Sequence, residues 1–377
     1  LALLRKQPHN FSKILILYNP RCATRFNCST FFDHDVTMAS LWYMTFLTNY
    51  RAGCASRNTW THLREHMYGV DTRMQPVNSF THHAYFGVTY IDNERDRDVK
   101  RVINTGFQNW DVRPVIHNSP KREKVLVVTN MWFRGHSVFR CMDAYLKALA
   151  EDFELTLVSL GQPVEVLEVD LFGGRVHTLS LASDNNNLEW LVNNEFSMVF
   201  FPDIGMNLES IFLSNLRIAP IQVCGYGHPV STFGAEIDYW LGGIDTEDHA
   251  SYAHNYDERL VLITGAGVVP NRPLYQRRDL LRPTDRVRIG CPWTGQKINY
   301  PLLCTLAKIV EQSKRDIVFE IYPGAATMHG AFTALRSDIR ETLDPASFLL
   351  LGDLQYSDYM DHIETCDFTL DSFPFGG

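Results

Sequence analysis

What this chain lacks narrows it first. No apolar run approaches the about eighteen residues that a membrane-spanning helix needs. Basic residues form no stripe, and 35 of them stand against 43 acidic ones, a net charge of −8. The lack of a concentrated cationic footprint argues against a dedicated nucleic-acid binder. No two cysteines form a CxxC pair. The eight (Cys22, Cys28, Cys54, Cys141, Cys224, Cys291, Cys304 and Cys366) are scattered, several inside apolar runs. That pattern reads as small buried hydrophobes in a reducing compartment, not as a disulfide framework. The fingerprint GxGxxG is missing too: GYGHPV fails at its third glycine, and TGAGVVP follows a strand without the rest of the motif. Walker A and the nucleophile elbow GxSxG do not occur, so dinucleotide, P-loop and serine-hydrolase readings gain no support. The chain opens on Leu rather than Met, so a cut N-terminus is expected, and LALL is too short for a signal core.

What is present is a change of rhythm. A chain of 377 residues is long enough for two or three domains with a sizeable core. Residues 1 to about 118 carry apolar positions at helical spacing (Phe46, Tyr50, Leu63, Met67) and few strand-like runs, which predicts a mainly helical region with long loops. From residue 119 the pattern alternates between strand and helix. VLVVTN (125–130), LTLVSL, SMVFFPDI (197–204), IQVCGYG and IDYWLGG read as strands. HSVFRCMDAYLKALAEDF and NLESIFLSNLRI read as helices, the second with Asn207 as N-cap. Such alternation indicates parallel βαβ units. A second unit, 281–377, repeats the rhythm: VRIGCPWT, NYPLLCTLAKIVEQS, IVFEIYPG, a helix through ALRSDIRETL, FLLLGD, YSDYMDHIETC and FTLDSFP. The expected fold is α/β: a partial all-α region (1–118), a Rossmann-like domain (119–280) and an incomplete second one (281–377), with a ligand cleft between the last two.

In open α/β sheets ligands sit at the carboxyl ends of strands, which picks out several residues. Lys297, in CPWTGQKINY with Thr294 three residues earlier, lies between a strand and a helix start, where backbone N–H groups and an ammonium suit a diphosphate. A solvated surface lysine is the competing reading. His136 opens the helix after the first strand, placed either to face the cleft or to bond nearby backbone. His228 follows Gly225 and Gly227, which permit close backbone approach, and precedes Pro229, which stiffens the turn; functional and structural roles both fit. His62, Glu65 and His66 match the HxxEH pattern of one zinc-peptidase class. With no third ligand signposted, a polar helical face is favoured and no metal site is expected.

From about Val125 onward the chain resembles the bacterial cytoplasmic N-glycosyltransferases that glucosylate high-molecular-weight adhesins, relatives of the O-GlcNAc transferases. WFRGHSVFR, GYGHPVSTFGAEIDYWLGG, Thr294-Gly-Gln-Lys297, LGDLQYSDYM and DSFPFGG carry the resemblance, in the family's order and spacing. It implies a GT-B-type architecture of two Rossmann-like domains. It also implies an inverting, metal-independent transfer of hexose from UDP-glucose or UDP-galactose to Asn in Asn-X-Ser/Thr sequons of a protein or peptide acceptor. No cofactor is implied beyond the donor, and no nucleic-acid partner. Thr294 and Lys297 match the diphosphate loop, with Gly376 and Gly377 in the terminal nucleotide-site loop. The lysine would offset charge growing on the UDP leaving group, and His136 and His228 match active-site histidines that orient acceptor or sugar. Two departures stand out. The family continues past FPFG with a Thr/Asn turn and an Asp, so a C-terminal truncation is expected, and Ser357 falls where some relatives carry His. An O-linked transferase, or a non-catalytic binding module of a glycosylation complex, is the alternative.

Overall fold

A computed structural model describes residues 10–48, 53–77, 80–110, 118–180, 188, 190–191, 193–228, 230–248, 254–278, 280, 285–324, 329–373 and 376. In chain order, helices α1 (Phe11–Leu17), α2 (Ser29–Phe32), α3 (Val36–Leu47), α4 (Arg57–Tyr68), α5 (Phe80–Ile91) and α6 (Asp96–Gln108) come first. They are followed by β1 (Lys121–Thr129), α7 (Ser137–Asp152), β2 (Glu154–Leu160), β3 (Val176–Leu179), β4 (Phe196–Phe201), α8 (Leu208–Ser214), β5 (Ile221–Cys224), β6 (Tyr239–Gly243) and β7 (Arg259–Ile263). The last stretch holds β8 (Val287–Cys291), α9 (Tyr300–Gln312), β9 (Ile317–Ile321), α10 (His329–Arg340), β10 (Phe348–Leu350), α11 (Tyr356–Thr365) and β11 (Phe368–Thr369). By its contacts the chain divides into two compact units: Thr72–Phe86 with Arg97–Arg272, and Leu1–Asp71 with Gly87–Asp96 and Pro273–Gly377. The helical first third is thus shared out between them.

The unit containing Arg97–Arg272 is organised by one parallel sheet of order β3-β2-β1-β4-β5-β6-β7. Its central strand β1 enters on the charged stretch Lys121–Lys124 and turns wholly buried from Val125 to Thr129, as a strand covered on both faces must. Helix α7 covers one face through Val138, Phe139, Met142 and Leu146, one buried stripe at helical spacing. Phe139, Met142 and Leu146 pack with Val125, Val127, Leu155, Leu157, Trp132 and Phe172 into one core. The strand expected over 197–204 stops at Phe201, because Pro202 has no N–H to continue the ladder. Asn207 caps α8 as expected, accepting from Ser210 N at 2.8 Å. The order reverses between β1 and β4, and that switch point is where the carboxyl ends of a doubly wound sheet open to ligands.

The other unit carries the four-stranded parallel sheet β10-β9-β8-β11, packed around Ile289, Trp293, Leu303, Leu306, Phe319, Ile321, Leu335 and Ile339. Its last strand is short: FTLDSFP pairs with β8 only over Phe368 and Thr369. The carbonyl of Leu370 is taken by Trp293 Nε1 at 2.8 Å, and the chain leaves the sheet there. Part of the helical first third belongs to this unit. Arg21 makes a two-pronged ion pair with the buried Asp338 of α10, at 2.8 and 2.6 Å. Cys54 bridges to Asn299, with Cys54 N to Ile298 O at 3.0 Å and Tyr300 N to Cys54 O at 2.9 Å. Phe46, Leu63 and Met67 are buried as their spacing predicts; Tyr50 lies outside the described residues.

One expectation is overturned here. His62 and His66 lie on no polar face but are buried on α4, against Trp42 and Phe46. Tyr18 Oη bonds His62 Nε2 at 2.8 Å. Burial, then the neighbouring His66, pulls the His62 pKa down to about 4. All eight cysteines are free, five of them buried. The α/β class and the two-sheet GT-B-type architecture are as expected, with helices leading the chain.

Candidate functional site

The residues singled out in the sequence gather at strand ends in both units, and each group is a site fragment in its own right. In the seven-stranded unit they stand beyond the carboxyl ends of β1 and β5. His136 is half-buried and caps α7, its Nδ1 accepting from Val138 N at 3.2 Å. Burial, then the charge of Arg140, lowers its pKa, which favours the neutral ring that a capping acceptor requires.

His228 sits in the turn after β5 and is 2% exposed. The turn folds back on β4 through Gly225 N to Phe201 O at 2.7 Å and Gly227 N to Pro202 O at 2.9 Å. Gly227 is obligatory in that approach, since a Cβ there would lie 2.4 Å from the Pro202 carbonyl and 2.9 Å from Asp203 Cβ. The His228 ring packs on Phe86 at 4.4 Å between centroids. Burial, then the charge of Lys100, pushes its pKa well down. Pro229 lies outside the described residues.

Two residues that sequence reasoning passed over stand at the switch point, just beyond β1 and β4. Asp203, wholly buried after β4, receives the Thr129 hydroxyl on Oδ1. Its Oδ2 has no hydrogen-bond partner among the described residues, nor does Oδ1 of the buried Asn130. Burial raises the Asp203 pKa to about 7, against the lowering effect of the Thr129 bond. The signal for both was available: each is the first polar side chain beyond a buried strand at the switch point.

In the four-stranded unit, the loop after β8 meets the loop after β11. Thr294 precedes a 3-10 turn, Gly295–Lys297, closed by Lys297 N to Thr294 O at 2.8 Å. Asn299 caps α9, accepting from Leu302 N at 2.9 Å. Lys297 Nζ donates to the carbonyl of Gly376 at 2.9 Å. Burial lowers its pKa, partly offset by the charge of Asp371. The structure thus places Thr294 and Lys297 in one turn, with the Gly376 carbonyl on the ammonium, whereas Gly377 lies outside the described residues. The half-buried ammonium is not the solvated surface lysine of the competing reading. Gly376 packs on Asp371, with room for no Cβ (2.4 Å to Oδ2). The residues behind the turn come from far away in sequence: Gly53, at φ 87°, lies where a Cβ would meet Gly295 O at 3.1 Å and Leu335 Cδ1 at 2.8 Å. A helix start and an ammonium together suit an anionic group of diphosphate size. Among the described residues no cluster of three His, Cys, Asp or Glu side chains could hold a metal ion. None of their helices is long and apolar enough to cross a membrane.

No protein-family model matches the chain. Two curated proteins do, both named UDP-glucose:protein N-beta-glucosyltransferase, from Actinobacillus pleuropneumoniae serotype 5b (strain L20) and serotype 7 (strain AP76). Each is 26% identical over 325 residues, covering 79% of this chain and 50% of the relative. The chain thus spans about half the length of the curated relatives it matches. Among solved structures, a mutant O-GlcNAc transferase of Thermobaculum terrenum aligns with a TM-score of 0.64 at 17% identity, covering 100% of this chain and 74% of that one. In sequence the chain is therefore a relative of protein N-glucosyltransferases, and in fold it is similar to O-GlcNAc transferase, the resemblance that its strand-end motifs carry.

Proposed function

We propose that the protein belongs to an inverting, metal-independent glycosyltransferase that moves a hexose from UDP-glucose or UDP-galactose to Asn of Asn-X-Ser/Thr sequons in proteins such as adhesins. In this reaction the bond from the sugar anomeric carbon to the diphosphate oxygen breaks and UDP leaves with the electron pair. The anomeric carbon bonds to the acceptor nitrogen, which gives up one proton. The observation that carries the reading is Lys297 Nζ beside the Gly376 carbonyl at the shared carboxyl ends of β8 and β11, in a chain 26% identical to N-glucosyltransferases.

Lys297 binds the diphosphate and offsets the negative charge that grows as UDP departs, the task a divalent cation performs elsewhere. Donor binding exchanges its bond to Gly376 O for one to phosphate oxygen. Thr294 and Gly376 line the nucleotide side. His136 and His228, both held toward the neutral form, orient acceptor or sugar by hydrogen bonds. A carboxamide nitrogen is a weak nucleophile, so positioning supplies much of the rate.

The test is mass spectrometry of a sequon peptide incubated with UDP-glucose or UDP-galactose and EDTA. Hexose on Asn is expected with either chelator or added magnesium. Transfer to Ser or Thr alone points to the O-linked alternative, and UDP-sugar binding without transfer to the non-catalytic one. Lys297→Ala is expected to lower kcat by about 10²–10³-fold, the loss typical of removing one transition-state donor; an unchanged rate removes Lys297 from the site.

A further inference from the structure

Among the described residues, Asp35, Ser56, Asn207 and Asn299 open α3, α4, α8 and α9, each accepting from the backbone N–H three residues on. These are the residue types that cap helices best. Helix α7 is opened by His136 instead, whose Nδ1 accepts from Val138 N, two residues on, at 3.2 Å. An Asn or Ser would cap α7 with a smaller side chain, so capping by itself does not account for an imidazole here. The bond also fixes the ring's tautomer. Nδ1 spends its lone pair on an N–H and so bears no proton, which in the neutral ring leaves the proton on Nε2. Burial, then the charge of Arg140, opposes a second proton. The Phe133 ring lies against the imidazole, 5.4 Å between centroids, across a turn in which His136 N donates to Phe133 O at 2.9 Å. Among the described residues the ring makes no other hydrogen bond, so the Nε2–H stays available.

We propose that the α7 cap locks His136 as a hydrogen-bond donor, which takes the side-chain oxygen of the acceptor Asn through Nε2–H and does not serve as the base. This rests on the transferase reading above and names the acceptor atom that the histidine binds. A carboxamide offers two N–H donors and one carbonyl oxygen. A ring left with only an N–H to give pairs with the oxygen. Charge left behind as the acceptor nitrogen sheds its proton is shared with that oxygen, where a donor stabilises it. A base, by contrast, needs a free lone pair. Nδ1 has committed its own to Val138 N, and Nε2 already carries a proton. The proton given up by the acceptor nitrogen therefore passes to another basic group or to water.

The experiment reads the His136 ring nitrogens by nitrogen NMR in the whole chain, assigned by their loss in His136→Asn. Beside it stand the kinetics of His136→Asn and His136→Gln with UDP-glucose and a sequon peptide. Wild type is expected to show a protonated, pyrrole-type Nε2 and an unprotonated Nδ1. Asn sets an oxygen near the place of Nδ1 and keeps the cap, but has nothing at the place of Nε2. Its urea midpoint should match wild type, while kcat/KM for the peptide falls about 10²-fold and KM for UDP-glucose holds. Gln brings an N–H near the place of Nε2 and loses the cap. Its midpoint should fall, while its kcat/KM stays well above that of the Asn variant. A cap with no other role would rank the two the other way, with Asn active and Gln impaired. Wild-type kcat/KM in His136→Asn therefore overturns the proposal, and so does a proton on Nδ1. Should the Gln variant not fold, those two results still decide. A raised KM for UDP-glucose with an unchanged peptide KM puts the donor on the sugar nucleotide and overturns the choice of the carboxamide oxygen. The Nε2–H tautomer in a protein that transfers no hexose supports the lock and refutes the transferase reading. Hexose transfer with the proton on Nδ1 refutes the lock alone.

Discussion

At the scale of single residues, the molecule keeps an expensive carboxyl where none is needed for packing. Asp203 is wholly buried after β4, with its pKa raised to about 7 by burial. The folded state therefore holds a proton that the unfolded chain releases near pH 4. Stability falls as pH rises between about 4 and 7, and the deficit persists above 7. Asp203→Asn can still accept the Thr129 hydroxyl and carries no such penalty. Its unfolding free energy, from urea curves, is expected to match wild type near pH 4. At pH 8 it should exceed wild type by on the order of 2–4 kcal/mol. Equal stabilities at pH 8 would show that Asp203 is ionised and solvated in the fold. A gain in stability with a loss of transfer would mark Asp203 as retained for the site rather than for the fold.

At the scale of elements, the Thr294–Lys297 turn depends on a segment about 240 residues earlier in the chain. Gly53 stands at φ 87° against the Gly295 and Ile298 carbonyls and Leu335, and Cys54 bonds the strand of backbone leading into α9. Gly53→Ala adds a Cβ in a left-handed conformation with 2.8 Å to Leu335 Cδ1. A loss of about 1–3 kcal/mol is expected from strain and overpacking combined. Because the backbone must shift beside Gly295, KM for the UDP-sugar should rise while the acceptor KM holds. Calorimetry and donor-varied kinetics check the two parts; a destabilised variant with wild-type donor KM would detach Gly53 from the turn. The βα rhythm of this region was legible in advance, since NYPLLCTLAKIVEQS announces a helix after a strand and Asn299 a cap. The Gly53 contact was not, because no local pattern marks a residue whose partners lie so far along the chain.

At the scale of the whole molecule, contact rather than chain order draws the divisions. Residues 1–71 share a unit with 273–377, and the Arg21–Asp338 pair is one of the ties within it. Arg21→Ala leaves the Asp338 carboxylate, 4% exposed in its side chain, without its two-pronged partner. Arg21 is itself partly exposed, so a loss of about 1–3 kcal/mol is expected rather than the full cost of a stranded charge. Hydrogen exchange should report the loss in α3, α4 and the β8–β9 pair alike if this unit unfolds cooperatively. Protection lost in the helices alone would refute that.

The sequence by itself determined the α/β class, most strands and caps, and the strand-end positions of Lys297, Thr294, His136 and His228. These follow from local periodicity, from proline and glycine chemistry, and from the tendency of ligands to meet strand ends. It misjudged His62 and His66 as a polar face, since two histidines one turn apart look the same whether water or Tyr18, Trp42 and Phe46 lie opposite. Only the tertiary structure decided that the Lys297 ammonium reaches the Gly376 carbonyl, that Asp203 and Asn130 stand at the switch point, and that Lys100 is buried against the segment following His228. Each of those depends on the burial and charge supplied by residues distant in sequence, and neither is written in the spacing of neighbours along the chain.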